Sequence, residues 1–270
     1  MNKVIINADD FGYSHIVNQE IISCINNGIV TSTTLMANGP ALKEAVDFAL
    51  ANRKASFGVH LVLDEGKPLV PSSVFVKYGI VDNNGYFVRG AIYRIVITKD
   101  IENAVYKEWC AQVERLLNMG LNISHIDSHH HVHTIKGLYH VLKRVCSKYR
   151  IEKVRLSLWA SPFTKLREKK LELEIRNNKT TPYSKRSFMK VVYDYIANMF
   201  LYYNLKSRFI TADFFCAYMY YAQNKNVINL HKSDVIEIMC HPGHPSFQKE
   251  LDLLKKESWN AFVKINYLNI

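Results

Sequence analysis

Short β-branched runs alternate with amphipathic stretches along this chain, and four of the runs end in residues that carry chemistry. Val4-Ile5-Ile6-Asn7-Ala8-Asp9 reads as a buried strand with Asp9 and Asp10 at its C-terminal end. A run over 55–63 carries His60, a run over 122–127 leads into Asp127 and His129, and a run over 234–240 ends at His241. Strands alternating with helices imply a parallel sheet. Parallel α/β folds place their active sites at the C-terminal ends of the strands. Residues far apart in sequence therefore meet in one cleft.

The remaining elements fill in around these four. Ser14 caps a helix over 14–27, with Ile16, Val17, Ile21, Ile22 and Ile25 on its apolar side. A β-rich run over 30–36 is broken by Asn38-Gly39-Pro40, and a helix over 41–51 follows. The stretch 64–92, with Gly66, Pro68, Pro71, Gly79, Asn83-Asn84-Gly85 and Gly90, reads as a long loop with one hairpin. A loop of that length inside a domain is more often a lid or binding loop than a linker. Further helices are predicted over 99–119, 137–149, 186–205, 214–222 and 247–263, with short strands over 153–158 and 208–212. No internal repeat or domain boundary is visible, so residues 1–270 are expected to form a single domain.

Length and composition agree with this class. A chain of 270 residues is near the usual size of one (β/α) barrel. With 48% hydrophobic and 22% charged residues it has the balance of a globular protein, which excludes whole-chain disorder. No apolar run approaches the roughly 18–20 residues that cross a bilayer. Two acids follow the N-terminus too closely for a signal peptide, so a soluble, cytoplasmic protein is expected. Five scattered cysteines without a Cys-x-x-Cys pair point to reduced, buried thiols.

The net charge of +11 is unevenly spread. Residues 161–232 hold 13 Lys/Arg against 5 Asp/Glu, and eight of the 16 tyrosines lie between Tyr183 and Tyr221. Such a basic, tyrosine-rich stretch suits an anion: nucleic acid, an anionic membrane or a phosphorylated substrate. The plainer alternative is a solvated helical surface with tyrosines on its core face.

The chemistry is concentrated elsewhere. Five of the 11 histidines fall between His125 and His133, in Ser124-His125-Ile126-Asp127-Ser128-His129-His130-His131-Val132-His133. Packing does not require histidine, whereas imidazole is a common metal ligand, so a metal site is the leading reading. One or two of the five suffice as ligands; the others orient them or bind substrate. In Asp9-Asp10-Phe11-Gly12 two adjacent carboxylates at a strand end can both turn toward the cleft, one for a metal and one as a base. His241, in Cys240-His241-Pro242-Gly243-His244-Pro245, stands on a loop stiffened by two prolines, which suits a positioned acid–base group.

Taken together, Asn7-Ala8-Asp9-Asp10-Phe11-Gly12, Thr31-Ser32-Thr33-Thr34, Gly58-Val59-His60-Leu61, the 125–133 cluster and Met239-Cys240-His241-Pro242-Gly243 resemble the YdjC-like carbohydrate deacetylases. That family includes chitooligosaccharide and hopanoid-associated deacetylases. The resemblance runs from Asn2 to about Ala160 and resumes near Val235, leaving a variable basic, tyrosine-rich segment at about 161–232. It implies an α/β fold, a single distorted (β/α) barrel of the polysaccharide-deacetylase type with a long loop after the third strand. It also implies one divalent metal ion on Asp10, His60 and His129, with Asp9 as general base and His241 as general acid. Asp127, His125, His131, His133, Arg155 and His244 are grouped with the site as orienting or substrate-contacting residues. Asp127 would either hydrogen-bond a ligand histidine or help position His241.

Magnesium is the metal that the resemblance implies. The ligand set of two imidazoles and a carboxylate suits zinc or another transition metal at least as well. The implied reaction removes the N-acetyl group of an acetylated amino sugar and releases acetate. Nucleic acid is not expected as a partner; contact with an anionic membrane or a lipid-linked substrate, and a homodimer, are compatible with the sequence. Two alternatives stand beside this: a metal-dependent hydrolase of another bond, either a phosphoester or a simple amide, and a non-catalytic sugar-binding protein on the same fold.

Overall fold

The computed structural model describes residues 1–157, 199–225 and 234–270. Seven strands form one sheet: β1 (Asn2–Phe11), β2 (Ser32–Leu35), β3 (Ser56–Leu61), β4 (Ile126–Ser128), β5 (Phe214–Ala217), β6 (Val235–Cys240) and β7 (Phe262–Lys264). The order is β4-β3-β2-β1-β6-β5, and β7 pairs with the first residues of β1. Every strand pairing is parallel. The connections are helical: α1 (His15–Asn26), α2 (Leu42–Ala51), α3 (Ser73–Lys77), α4 (Lys99–Asn118), α5 (Tyr139–Tyr149), then a helical stretch at 199–208, α6 (Tyr218–Asn224) and α7 (Gln248–Lys256).

The sheet is curled. Three inter-strand spacings of about 4.8 Å separate β1 from β4, roughly 14 Å in a flat sheet. Yet the guanidinium of Arg155 lies 2.6 Å from Asp9 on β1, 2.7 Å from Asp127 on β4 and 2.6 Å from Glu237 on β6. One planar group reaches all three only if the strands wrap around it. Parallel bridges from Ile126 to Val154 and from Lys153 to Ile210 carry the curl beyond β4 toward the segment that enters β5. The result is an α/β fold whose parallel sheet forms a half-barrel.

Alternation along the strands follows from this curvature. On β1, Val4, Ile6 and Ala8 belong to the apolar core under the helices, while Asn7 and Asp9 reach polar partners inside the curl. Ser32 and Thr34 of β2 and Ser56 and His60 of β3 hydrogen-bond within the same interior. Both faces of the sheet are buried, but only the outer one is greasy. The long α4 seals part of that outer face with Ile101, Val105, Trp109, Val113 and Leu116. Its buried Gln112 holds both backbone groups of Val62, and Glu108 accepts from Leu69 and Val70, so α4 also fixes the chain where it leaves β3.

Several predicted elements differ from those observed. The stretch 64–92 carries an antiparallel bridge between Val81 and Phe87 where a hairpin was expected, and beyond that expectation it contains α3 and buried Phe75, Ile80, Val81 and Phe87. Residues 214–222 were expected to be helical, but Phe214–Ala217 pairs with β6 before α6 begins. An aromatic run has strand propensity, and here a neighbouring strand edge takes it up. The last helix ends at Lys256, and the apolar residues after it form β7 against Asn2–Val4. Ile16 lies exposed, whereas the polar Asn18 is buried and donates across to the Ala41 carbonyl and Glu44. The strand expected over 122–127 shortens to Ile126–Ser128, and those expected at 153–158 and 208–212 reduce to isolated bridges. Most of the basic segment, and most of the helix expected over 186–205, lies outside the described residues.

Candidate active site

The site begins with a break in strand geometry. Neighbouring residues on a strand point to opposite faces. The β1–β2 register shifts between Ala8 and Phe11, and Asp10 takes a left-handed backbone with φ 67°. For a non-glycine residue that conformation costs on the order of 1 kcal/mol. It lets Asp9 and Asp10, both 2% exposed, turn into the same interior.

The two acids have different partners. Both oxygens of Asp9 are gripped by Arg155, at 2.6 Å from Nη1 and 2.6 Å from Nη2, and Asn7 donates to Oδ1 at 2.9 Å. Burial would raise the Asp9 pKa, but the Arg155 guanidinium outweighs burial and holds it below the usual carboxylate range. Asp10 faces imidazoles instead. Its Oδ1 lies 3.2 Å from His60 Nε2 and 2.9 Å from His129 Nδ1. Burial again opposes the charge, and the bonds to His129 and His60 again prevail, leaving Asp10 well below its ordinary pKa.

His60 is oriented from behind. Its Nδ1 lies 2.7 Å from Asp127, and Thr34 donates to the other oxygen of that carboxylate at 3.0 Å. This fixes the ring with Nε2 toward Asp10, the arrangement by which a carboxylate orients a metal-binding histidine. His60 is raised well above its ordinary pKa: burial works against the cation, but Asp127, Asp10 and Asp9 overcome it.

The histidine cluster is splayed by backbone strain. His130 and His131 both adopt left-handed φ, 47° and 61°. Three successive rings therefore go three ways. His129 meets Asp10, the partly exposed His130 pairs with buried Asp64 at 2.7 Å, and His131 sets its edge on Phe215. Arg89 and Tyr93, from the far end of the 64–92 stretch and just beyond it, also contact His130. His133 lies deeper, between Ser128, Ser157 and the Arg155 carbonyl. His125 lies on the floor, bonded to Asn7 and Ser124 and stacked on Tyr267. Gly58 makes room for it, since a Cβ there would come within 2.6 Å of the His125 ring.

His241 follows β6, stacked on Phe247 with ring centroids 4.2 Å apart. Its backbone N–H donates to Glu250 at 2.5 Å, and its Nδ1 lies 3.6 Å from the same oxygen. Burial disfavours the imidazolium, yet Glu250, Asp10 and Asp9 raise its pKa above the ordinary value. His244 stands at the rim against Tyr13, its Nδ1 accepting from Ser246.

Asp10, His60 and His129 present ligand atoms that lie within 4.8 Å of one another. The separations of 3.2 and 2.9 Å between the Asp10 oxygen and the two imidazole nitrogens match the edges expected between ligands bound at about 2.0–2.2 Å. Charge supports the same fit. Asp9, Asp127 and Glu237 are three buried carboxylates that share the Arg155 guanidinium, and the buried Asp10 has no part in it. Buried charge demands compensation, and a divalent cation beside Asp10 would supply it.

The chain matches the family model of YdjC-like proteins over residues 3–264. It belongs to the YdjC-like family. Among curated relatives, the carbohydrate deacetylase of Clostridium beijerinckii is 34% identical over 246 residues, covering 90% of this chain and 82% of that protein. The carbohydrate deacetylases of Geobacillus stearothermophilus and Vibrio campbellii are each 43% identical over 150 residues. Those two alignments cover 54% and 55% of this chain and span 57% of each relative's length. A solved structure of a candidate cellobiose-phosphate cleavage protein from Enterococcus faecalis V583 superposes with a TM-score of 0.66 at 25% identity, covering 99% of this chain and 98% of that one.

Four residues of this YdjC-like site were not picked out from the sequence: Glu237, Tyr267, Glu250 and Asp64, the partner of His130. Glu237 left a signal, being the lone charge inside Val-Ile-Glu-Ile-Met-Cys. The others left none, because their partners are 9 to 66 residues away in sequence.

Proposed function

We propose that this chain is a metal-dependent carbohydrate N-deacetylase that hydrolyses the acetamide of an acetylated amino sugar and releases acetate. The observation that carries this is the division of labour between adjacent acids. Asp10 is turned to two histidines, both oxygens of Asp9 are held by Arg155, and His241 stands at the same C-terminal end, on the neighbouring strand β6. Membership of a family whose curated relatives are carbohydrate deacetylases gives the substrate class.

Asp10, His60 and His129 would hold the cation. When bound there, a divalent ion supplies Lewis-acid polarisation of a carbonyl and a lowered pKa for water. Asp9, fixed by Arg155 and Asn7, takes the proton of the attacking water. His241, whose raised pKa favours a protonated ring, gives a proton to the departing nitrogen, without which an amide nitrogen leaves poorly. Asp127 holds the tautomer of His60. Acetate and a free amine result. The donor set of two nitrogens and one oxygen accepts magnesium or zinc, and the assay names the metal.

The finer expectations belong to the same reading. The curled sheet forms a distorted barrel of the polysaccharide-deacetylase type, residues 1–270 act as one deacetylase domain, and the 64–92 stretch, which reaches His130 from both ends, helps select the sugar. Among the described residues no helix is long and apolar enough to cross a membrane. Work in the cytoplasm, contact with a lipid-linked substrate through the basic segment, and a homodimer are extensions of the proposal.

The deciding experiment is acetate release from neutral, phosphorylated, nucleotide-linked and lipid-linked N-acetyl sugars. It is run with metal-stripped protein and with protein refilled by magnesium or zinc. Release only after refilling supports the reading. Phosphate release without acetate from the same panel would replace it with the phosphoester alternative.

A further inference from the structure

The interior below Asp9 ends in the C-terminal tail. After β7 the chain runs beside β1, with Ile265 donating to the Val4 carbonyl at 2.9 Å, and then turns under the sheet. Tyr267 enters the curl completely: it is 0% exposed and its ring stacks on His125 at 3.7 Å and 10°. Its N–H donates to Ser56 Oγ at 3.1 Å, and its carbonyl accepts from Lys153. A tyrosine pinned at ring and backbone has one place for its hydroxyl. That hydroxyl donates to Glu237 Oε2. The other oxygen of Glu237 takes Arg155 Nε at 2.6 Å.

A guanidinium is a rigid planar fork. Fixing its Nε side therefore aims the Nη side, which here grips both oxygens of Asp9. We propose that Tyr267 and Glu237 are positioning residues for Asp9, acting in series through Arg155. The tail thus sets the base of the active site from the far end of the sheet. Tyr267 lies beyond residues 3–264, where the family match ends, so the family pattern does not account for it. A charge at position 237 serves no packing purpose on an otherwise apolar strand, and its two oxygens are both consumed by this chain of contacts.

The inference rests on Asp9 acting as the base, and its test separates the two ideas. Tyr267→Phe keeps the ring and its stack and removes only the hydroxyl. Acetate release is measured for wild type, Tyr267→Phe, Asp9→Asn and the double variant. For Tyr267→Phe, kcat should fall roughly tenfold, a fraction of what a general base contributes, with KM and metal content unchanged. In the Asp9→Asn background the same substitution should cost nothing further, because the group it positions is already lost. An equal loss in both backgrounds, or none in either, overturns the proposal.

Glu237→Gln, which keeps the acceptor for Arg155 and loses the charge, must show the same dependence on Asp9 and serves if Tyr267→Phe folds poorly. Crystal structures of wild type and either variant give a readout independent of activity. At least one of the two Arg155–Asp9 bonds should be lost, and an unchanged pair overturns the relay. If wild type releases no acetate from any sugar, the deacetylase reading fails while the crystallographic comparison still decides the relay.

Discussion

The rim of the sheet and the layer beneath it handle buried charge in opposite ways. In the lower layer Arg155 is shared among Asp9, Asp127 and Glu237, with Asn7, Thr34 and Tyr267 filling further positions. At the rim, among the described residues, the Asp10 carboxylate meets the two imidazoles of His60 and His129. The lower layer ties three carboxylates to one guanidinium, and the rim sets one carboxylate against two imidazoles, a group that could hold a cation. Two adjacent residues of one strand fall on either side of that boundary. What separates Asp9 from Asp10 chemically is the company each keeps, since their burial is the same.

The largest effect is expected from changes at the rim. Chelating divalent ions, or replacing His60 with Ala, should abolish acetate release by more than about 10³-fold, the scale of several kcal/mol of Lewis-acid stabilisation. Metal content by mass spectrometry should fall in parallel. A His60→Ala protein that keeps its metal and turnover would move the cation elsewhere.

Asp9→Asn attacks the lower layer. Turnover should drop at least about 10²-fold while metal content stays at the wild-type level, which would separate the two adjacent acids functionally. Joint loss of metal and activity would erase the distinction. His241→Ala should also spare the metal. Its effect should shrink on substrates with activated leaving groups, which need less protonation. The same loss on every substrate would assign His241 a structural role.

A smaller effect concerns stability. Burial pushes His133 down to about 3, and His125 and His131 also lie well below the ordinary imidazole value. Between about pH 3 and pH 6.5 the unfolded chain binds a proton at position 133 that the folded chain refuses. Stability should therefore fall as pH drops through that window, by about 1.4 kcal/mol per pH unit for this group, with His125 and His131 acting in the same direction. Thermal melts from pH 7.5 to 5 follow it. His133→Gln should flatten the slope; an unchanged slope would show that His133 does not contribute.

The smallest expected change comes from shortening the Asn83-Asn84-Gly85 turn. That turn lies within a segment that carries its own buried residues, so the fold should tolerate it. Relative kcat/KM across the sugar panel should shift by a few-fold, and an unaltered preference would remove the 64–92 stretch from substrate selection.

Much of this organisation is legible in the residues alone. The run Val4 to Asp9, the histidine density at 125–133 and the His-Pro-Gly turn after Cys240 announce a parallel sheet with chemistry at its strand ends, because periodicity and strand-end chemistry are local properties. Ser14 announces its helix in the same way, by capping Val17 N–H. The strands at 214–217 and 262–264 were not legible, since each is short and owes its state to a neighbouring edge. The family motifs name Asp10, His60 and His129, but the different partners of Asp9 and Asp10 depend on a left-handed residue and a guanidinium 146 positions from Asp9. Glu237 and Tyr267 join the site only because the sheet curls and the tail turns beneath it. Sequence determined which groups are available and at which strand ends they stand. Tertiary structure decided which of them share a proton, a cation or an arginine, because those partnerships depend on distances that close only when the strands wrap around.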